Sequence, residues 1–263
     1  MSLYTKYPLI KNISSGAKGS VFVALNHSGL NPNYKTVLIK TTNKSEQEYF
    51  LKIDKKYTNI PNELHFNNLI VDKSISPLIL DSFETEIAVI IVMEYLSDDW
   101  TSLGKFTRNT RAEHSLKQIF INVIISLQKL SKQGIYHCDI KPDNVMVNRR
   151  TFEVKILDYE DVVYDNKNYY PKSKELYGTD GFIGPELYLD KECDVKKSIV
   201  YTLGCFLYSC LESKYPNENS NLFKYRKSSL AAKIFICSCI RKRPEERIEY
   251  DDILMNTYLK YLS

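Results

Sequence analysis

The feature that most constrains this chain is the run from Tyr136 to Asp158, whose dense core reads His137-Cys138-Asp139-Ile140-Lys141-Pro142-Asp143-Asn144. It sets an acid, a cation and an amide in a short loop after a helix, with an apolar hairpin and then Asp158 behind it. Moving a phosphoryl group asks little covalent chemistry of a protein. It asks for a carboxylate to orient a hydroxyl, a cation to meet migrating charge, and oxygen ligands for a divalent ion. Asp139, Lys141, and the pair Asn144 and Asp158 have the chemistry for those posts.

The segment before this loop is built to hold it. From Ser115 to Ser131, apolar residues recur at three-to-four spacing (Leu116, Ile119, Phe120, Val123, Ile124, Leu127, Leu130), and the pattern stops at Gly134. That predicts an amphipathic helix ending just short of the loop. Beyond it, Ser198 to Leu211 is apolar all round, which predicts a buried helix.

Upstream the pattern changes to strands. Pro8 to Ser28 alternates as strand, glycine turn and strand, and Thr36 to Lys40 reads as a further strand paired with the second. Ile87 to Val92 is continuously apolar, as a strand buried on both faces should be. Ser45-Glu46-Gln47-Glu48 has the pattern of a capping box, which predicts a helix carrying Lys52, and Pro61 and Glu63 open another.

With 263 residues, 43% of them hydrophobic and 26% charged, the chain has ample length for one large domain or two packed lobes. A net charge of +4 is too mild to argue by itself for nucleic acid or a membrane surface. The six cysteines lack metal-ligand spacing and read as reduced core thiols. Neither a signal-peptide pattern nor a run of membrane-spanning length stands out, so the expectation is a soluble, cytoplasmic, monomeric protein with access to the nucleus and no nucleic-acid or membrane partner. Abundant Lys, Asn, Ile and Tyr with few Gly hint at an AT-rich genome, such as a parasite's or a large DNA virus's.

The order H-x-D-x-K-x-x-N followed by hydrophobic-Asp resembles the catalytic and metal-binding loops of the eukaryotic protein kinase superfamily. Other segments extend the resemblance from about Pro8 to Leu262. Ile13 to Val21 is similar to the glycine-rich loop, with Ser14 in place of its first glycine and Gly16, Gly19 and Val21 following. Val37-Leu38-Ile39-Lys40 resembles V-A-I-K, with Lys52 as a rival for the phosphate-binding lysine. Tyr177 to Glu186 resembles the G-T-x-x-Y-x-A-P-E segment, and Arg243-Pro244-Glu245-Glu246-Arg247 the C-terminal R-P-x-x-R.

The resemblance implies an α+β, two-lobed kinase-like fold forming one domain over 1–263. A small antiparallel-sheet lobe with helix αC would cover 1–95, and a larger helical lobe 96–263. It also implies ATP and Mg²⁺, with Mn²⁺ as the alternative ion, and Ser/Thr hydroxyls of protein substrates as acceptors. Asp139 would orient the hydroxyl, Lys141 would neutralise the γ-phosphoryl, and Asn144 with Asp158 would hold the metal. Lys40 would bind the α/β-phosphates and pair with Glu63. Met93 would stand at the adenine pocket, with Glu94 and Leu96 offering backbone groups to the base. Asp98 or Asp99 would meet the ribose or a basic substrate side chain, and Asp99 is assigned to the nucleotide. His137 would support the loop, and Arg247 would pair with Glu186.

Three departures from the family pattern matter. Cys138 stands where the family has Arg, which removes a natural partner for a phosphate on the activation segment. Asp158-Tyr159-Glu160 replaces D-F-G, so Glu160 forfeits the backbone freedom of glycine. Ile199 replaces the aspartate of the central buried helix, a change shared with PIM-like kinases. Asp143, with Asp98 or Asp99, could select basic residues N-terminal to the target. The rival readings are a pseudokinase that serves as a nucleotide-binding or partner-binding scaffold, and a small-molecule kinase of the choline or aminoglycoside type.

Overall fold

The computed structural model describes residues 3–16, 19–44, 62–109, 112–164, 178–189, 193–214 and 227–260. Contacts divide the chain into two compact units, Met1–Asp98 and Asp99–Ser263. The sequence reading put this division at 95/96. Ser45–Glu48, Lys52, Pro61 and Tyr177 lie outside the described residues.

The first unit opens with a short helix, α1 (Leu3–Lys6), and is built on five strands: β1 (Leu9–Gly16), β2 (Gly19–Leu25), β3 (Thr36–Asn43), β4 (Ile79–Glu84) and β5 (Ala88–Glu94). They form one antiparallel sheet in the order β1-β2-β3-β5-β4. β5 is apolar from Ala88 to Met93 because both of its faces are covered. Ile90 and Val92 pack with Tyr7, Ala24, Val37 and Ile39 on one side, and Val89, Ile91 and Met93 pack with Leu38, Leu64 and Ile79 on the other. Leu64 belongs to α2 (Asn62–Leu69), which is anchored by the fully buried Phe66. Burying each such aliphatic side chain contributes about 1.5–3 kcal/mol.

The second unit is mainly helical. It contains β6 (Trp100–Ser102), α3 (Leu103–Asn109), α4 (Glu113–Ser131), β7 (Ile135–His137), β8 (Val145–Asn148), β9 (Val154–Ile156), β10 (Val162–Tyr164), α5 (Val195–Glu212), α6 (Leu230–Cys239) and α7 (Thr257–Lys260). All seven apolar positions of the predicted α4 stripe are buried. α5 is buried on nearly every side and begins where Asp194 accepts hydrogen bonds from the Lys196 and Lys197 N–H groups, at 2.8 and 3.2 Å. β8 pairs with β6 and β9, and β7 pairs with β10. These two small sheets flank the loop at 138–144. All six cysteines are free, and Cys237 corrects the expectation of core thiols: it is exposed while the other five are buried. No helix among the described residues is long and apolar enough to cross a membrane.

Candidate active site

In the first unit, the β1–β2 hairpin brings Gly16 opposite Gly19, with Ser14 opposite Val21. A side chain at Gly19 would overlap the Thr41 carbonyl oxygen, so only glycine lets β2 approach β3 this closely. Val21 faces Lys40 across β2 and β3. Lys40 Nζ lies 2.5 Å from Glu63 Oε2, and both side chains are largely shielded from water. Glu63 occupies the first turn of α2, where the helix dipole also favours a carboxylate. Met93 is buried on β5. The Glu94 N–H donates to the Leu78 carbonyl at 2.9 Å and so is not available to a ligand. Leu96 is half-buried in the mostly exposed connection after β5.

In the second unit, the loop after β7 gathers around Asp139, which is buried. Its Oδ1 accepts the Thr179 hydroxyl at 2.5 Å. Its Oδ2 accepts Lys141 Nζ at 2.7 Å and Asn144 Nδ2 at 2.8 Å. Lys141 also donates to Thr179 Oγ1 at 2.7 Å, closing a ring of three side chains. A carboxylate has about four lone-pair sites. Three are used here, which leaves room for one further donor. Burial alone would raise the Asp139 pKa, but the hydrogen bonds from Lys141 and Thr179 and the lysine charge outweigh it and hold the carboxyl below its usual range.

His137 fixes the backbone of this loop. Its Nδ1 accepts the Asp139 N–H at 3.3 Å while Nε2 bonds the Leu157 carbonyl at 3.0 Å, an arrangement that puts the proton on Nε2. Burial lowers its pKa and keeps the ring neutral. The Leu157 N–H donates to the Asn144 carbonyl at 2.9 Å, so Asp158 begins directly beside Asn144. Asp158 has φ +65°, a left-handed conformation uncommon outside glycine.

Asn144 spends its amide N–H groups on the Asp139 carbonyl and carboxylate, and its Oδ1 accepts no hydrogen bond among the described residues. That orientation leaves the amide oxygen to accept from a ligand, and an amide oxygen with the Asp158 carboxylate is a donor set suited to a hard divalent cation. Asp99, in contrast, is engaged elsewhere: its carboxylate pairs with Arg150 at 2.9 Å, and its carbonyl accepts the Arg149 N–H. Asp98 accepts from the Tyr95 hydroxyl at 3.3 Å.

Two features escape a reading of sequence alone. Asp161 is pushed up to about 6, first by burial and then by the Asp139 charge, with Asp158 and Glu160 adding to it and the Gly178 N–H opposing. Its only sequence signal is membership of an acidic run. Gly178 has φ +103°, and a side chain there would meet the Cys138 carbonyl oxygen at 2.6 Å. This close approach carries Thr179 to Asp139.

Comparison with known proteins agrees across most of the chain. Residues 7–259 match the protein kinase domain family. Similar proteins include a probable serine/threonine-protein kinase of Dictyostelium discoideum, 29% identical over 82% of this chain and 50% of the relative. Sperm motility kinase 2A of Mus musculus is 31% identical over 59% of this chain and 30% of the relative. Serine/threonine-protein kinase Nek5 of Homo sapiens is 26% identical over 82% of this chain and 29% of the relative. These matches span half or less of each relative's length.

Proposed function

The chain belongs to the protein kinase family, and on that premise we propose that it transfers the γ-phosphoryl group of ATP to Ser or Thr hydroxyls of protein substrates, with Mg²⁺ or Mn²⁺ as the metal. One observation carries this reading: Asp139 is ionised, buried and held by Lys141, Asn144 and Thr179, with one acceptor site to spare.

Asp139 accepts the hydrogen bond of the incoming hydroxyl, aims its oxygen and takes its proton as the new bond forms. Lys141 places a positive charge at the same point, between Asp139 and Thr179. Asn144 Oδ1 and Asp158 would hold the metal. Lys40, held by Glu63, would hold the α/β-phosphates under the glycine hairpin of Ser14, Gly16, Gly19 and Val21, with Met93, Glu94 and Leu96 at the base. When bound, nucleotide and metal supply the transferable phosphoryl group and neutralise its charge. A ribose contact by Asp99 competes with the Arg150 ion pair. Selection of a basic substrate residue therefore falls chiefly to Asp143, which is exposed beside the loop.

The test is transfer from labelled ATP and Mg²⁺ to a Ser/Thr protein mixture, run beside Asp139→Asn and Lys40→Met. Asp139→Asn should reduce transfer by about 10²–10⁴-fold. Loss of transfer in both variants supports the reading. Transfer that survives Lys40→Met moves the phosphate contact to Lys52. ATP binding without transfer by the unaltered chain overturns the reading in favour of a nucleotide-binding scaffold.

A further inference from the structure

The larger unit carries a basic surface that phosphoryl transfer does not use. α3 and the turn between β8 and β9 frame a cavity of about 760 Å³. Lys105, Arg108 and Arg149 line it beside Phe106 and Phe152, and among the described residues no carboxylate does. None of the three cations forms an ion pair with any described residue, whereas neighbouring Arg150 is neutralised by Asp99 at 2.9 Å. Like charges gathered around one opening repel one another and attract an anion.

Three exposed cations alone would be an ordinary solvated face. Phe152 makes the surface unusual. It has φ +59°, a conformation that bulky side chains rarely adopt. The turn enforces it: the Phe152 N–H donates to the Asn148 carbonyl at 2.9 Å, and Asn122 on α4 donates to the Phe152 carbonyl at 2.9 Å. The ring thereby meets Phe106 edge-to-face, with centroids 6.2 Å apart. The result is an apolar seat rimmed by positive charge that no described residue neutralises.

We propose that this cavity docks an acidic peptide segment of a protein substrate, with carboxylates on Lys105, Arg108 and Arg149 and one aliphatic side chain seated against Phe106 and Phe152. A nucleic acid fits less well. The two rings engage each other and Phe106 is buried, which leaves no open pair of faces for stacked bases. α3 also packs on the turn at Pro142–Asn144, so a segment held here is tethered to the unit that carries Asp139. Tethering raises the local concentration of the acceptor hydroxyl without touching the transfer chemistry.

Calling the peptide a substrate rests on the proposed kinase activity; the binding does not, so the two are tested separately. The full chain is titrated into a fluorescein-labelled acidic peptide with one central Leu, and anisotropy is read at low and high salt. Arg108→Glu/Arg149→Glu should weaken binding by about tenfold or more, and Lys105→Glu alone less, with an unchanged thermal midpoint in both. Replacing the peptide's Leu by Ser should weaken binding to the unaltered chain. In transfer assays, appending the acidic segment to an acceptor peptide should lower KM at constant kcat, and the charge variants should abolish that gain. Equal affinity of the variants and the unaltered chain, or tighter binding of a single-stranded RNA of matched charge, would overturn the proposal.

Discussion

Thr179 donates its hydroxyl to Asp139 Oδ1 at 2.5 Å and accepts Lys141 Nζ at 2.7 Å, although it lies 40 residues from the aspartate. It is the one member of the ring outside the loop. Thr179→Ala removes a donor from the carboxylate and an acceptor from the lysine, so both lose their fixed geometry. The expected outcome is a fall in kcat of about 10²-fold with little change in KM for ATP. Thr179→Ser keeps the hydroxyl and should restore most of the rate, which steady-state kinetics on a Ser peptide would show.

Arg247 is fully enclosed and makes a bidentate pair with Glu186, both contacts at 2.6 Å. Its guanidinium also meets the Arg241 and Lys197 carbonyls and lies 4.9 Å from the Tyr201 ring centroid. Arg247→Met leaves a buried carboxylate unpaired and should cost about 3–5 kcal/mol in denaturant unfolding. Adding Glu186→Leu should recover part of that loss. A double variant that is less stable than both single variants would contradict this account.

Asp161 carries its charge at a cost. Its folded pKa of about 6 exceeds the ordinary 3.8, so between those values the native chain holds a proton that the unfolded chain has released. Stability from this group is therefore present at low pH and is lost as pH rises through about 6. Asp161→Asn keeps an acceptor for the Gly178 N–H and carries no charge. It should raise stability by about 1–3 kcal/mol at pH 7.5, after allowance for partial exposure, with the gain shrinking towards zero as pH falls below the ordinary 3.8. Thermal melts of both chains in chelator across that range would check it; a stability difference independent of pH would rule it out.

Cys138 is buried, and its thiol donates to the Tyr136 carbonyl at 3.3 Å. No cation stands at this position to meet a phosphate on the segment leading to Gly178. The ordering of Thr179 here depends on Asp139 and Lys141 instead. Phosphatase treatment should leave the transfer rate unchanged, and complete loss of transfer after treatment would refute the prediction.

The legibility of the fold followed the strength of local pattern. α4 buries a wide apolar face and announced itself by periodicity, while β5 and α5, buried on more than one side, announced themselves by unbroken apolar runs. β4 and α3 did not, because the strand is half-exposed and the helix is short, with Gly104 at its second position. The loop at 137–144 was legible because its donors and acceptors are packed within a few residues of one another.

By itself, the sequence determined the order of chemical groups: a carboxylate, a lysine and an amide in one turn, an aspartate after the next hairpin, and a lysine strand before a glutamate helix. Those relations are local, and covalent spacing sets them. Only the tertiary structure decided that Gly178 would press on the Cys138 backbone and bring Thr179 to Asp139, that Asp161 would be buried beside the same charge, and that Phe152 would meet Phe106. Each joins residues far apart along the chain, and burial and approach between such residues exist only once the core has closed.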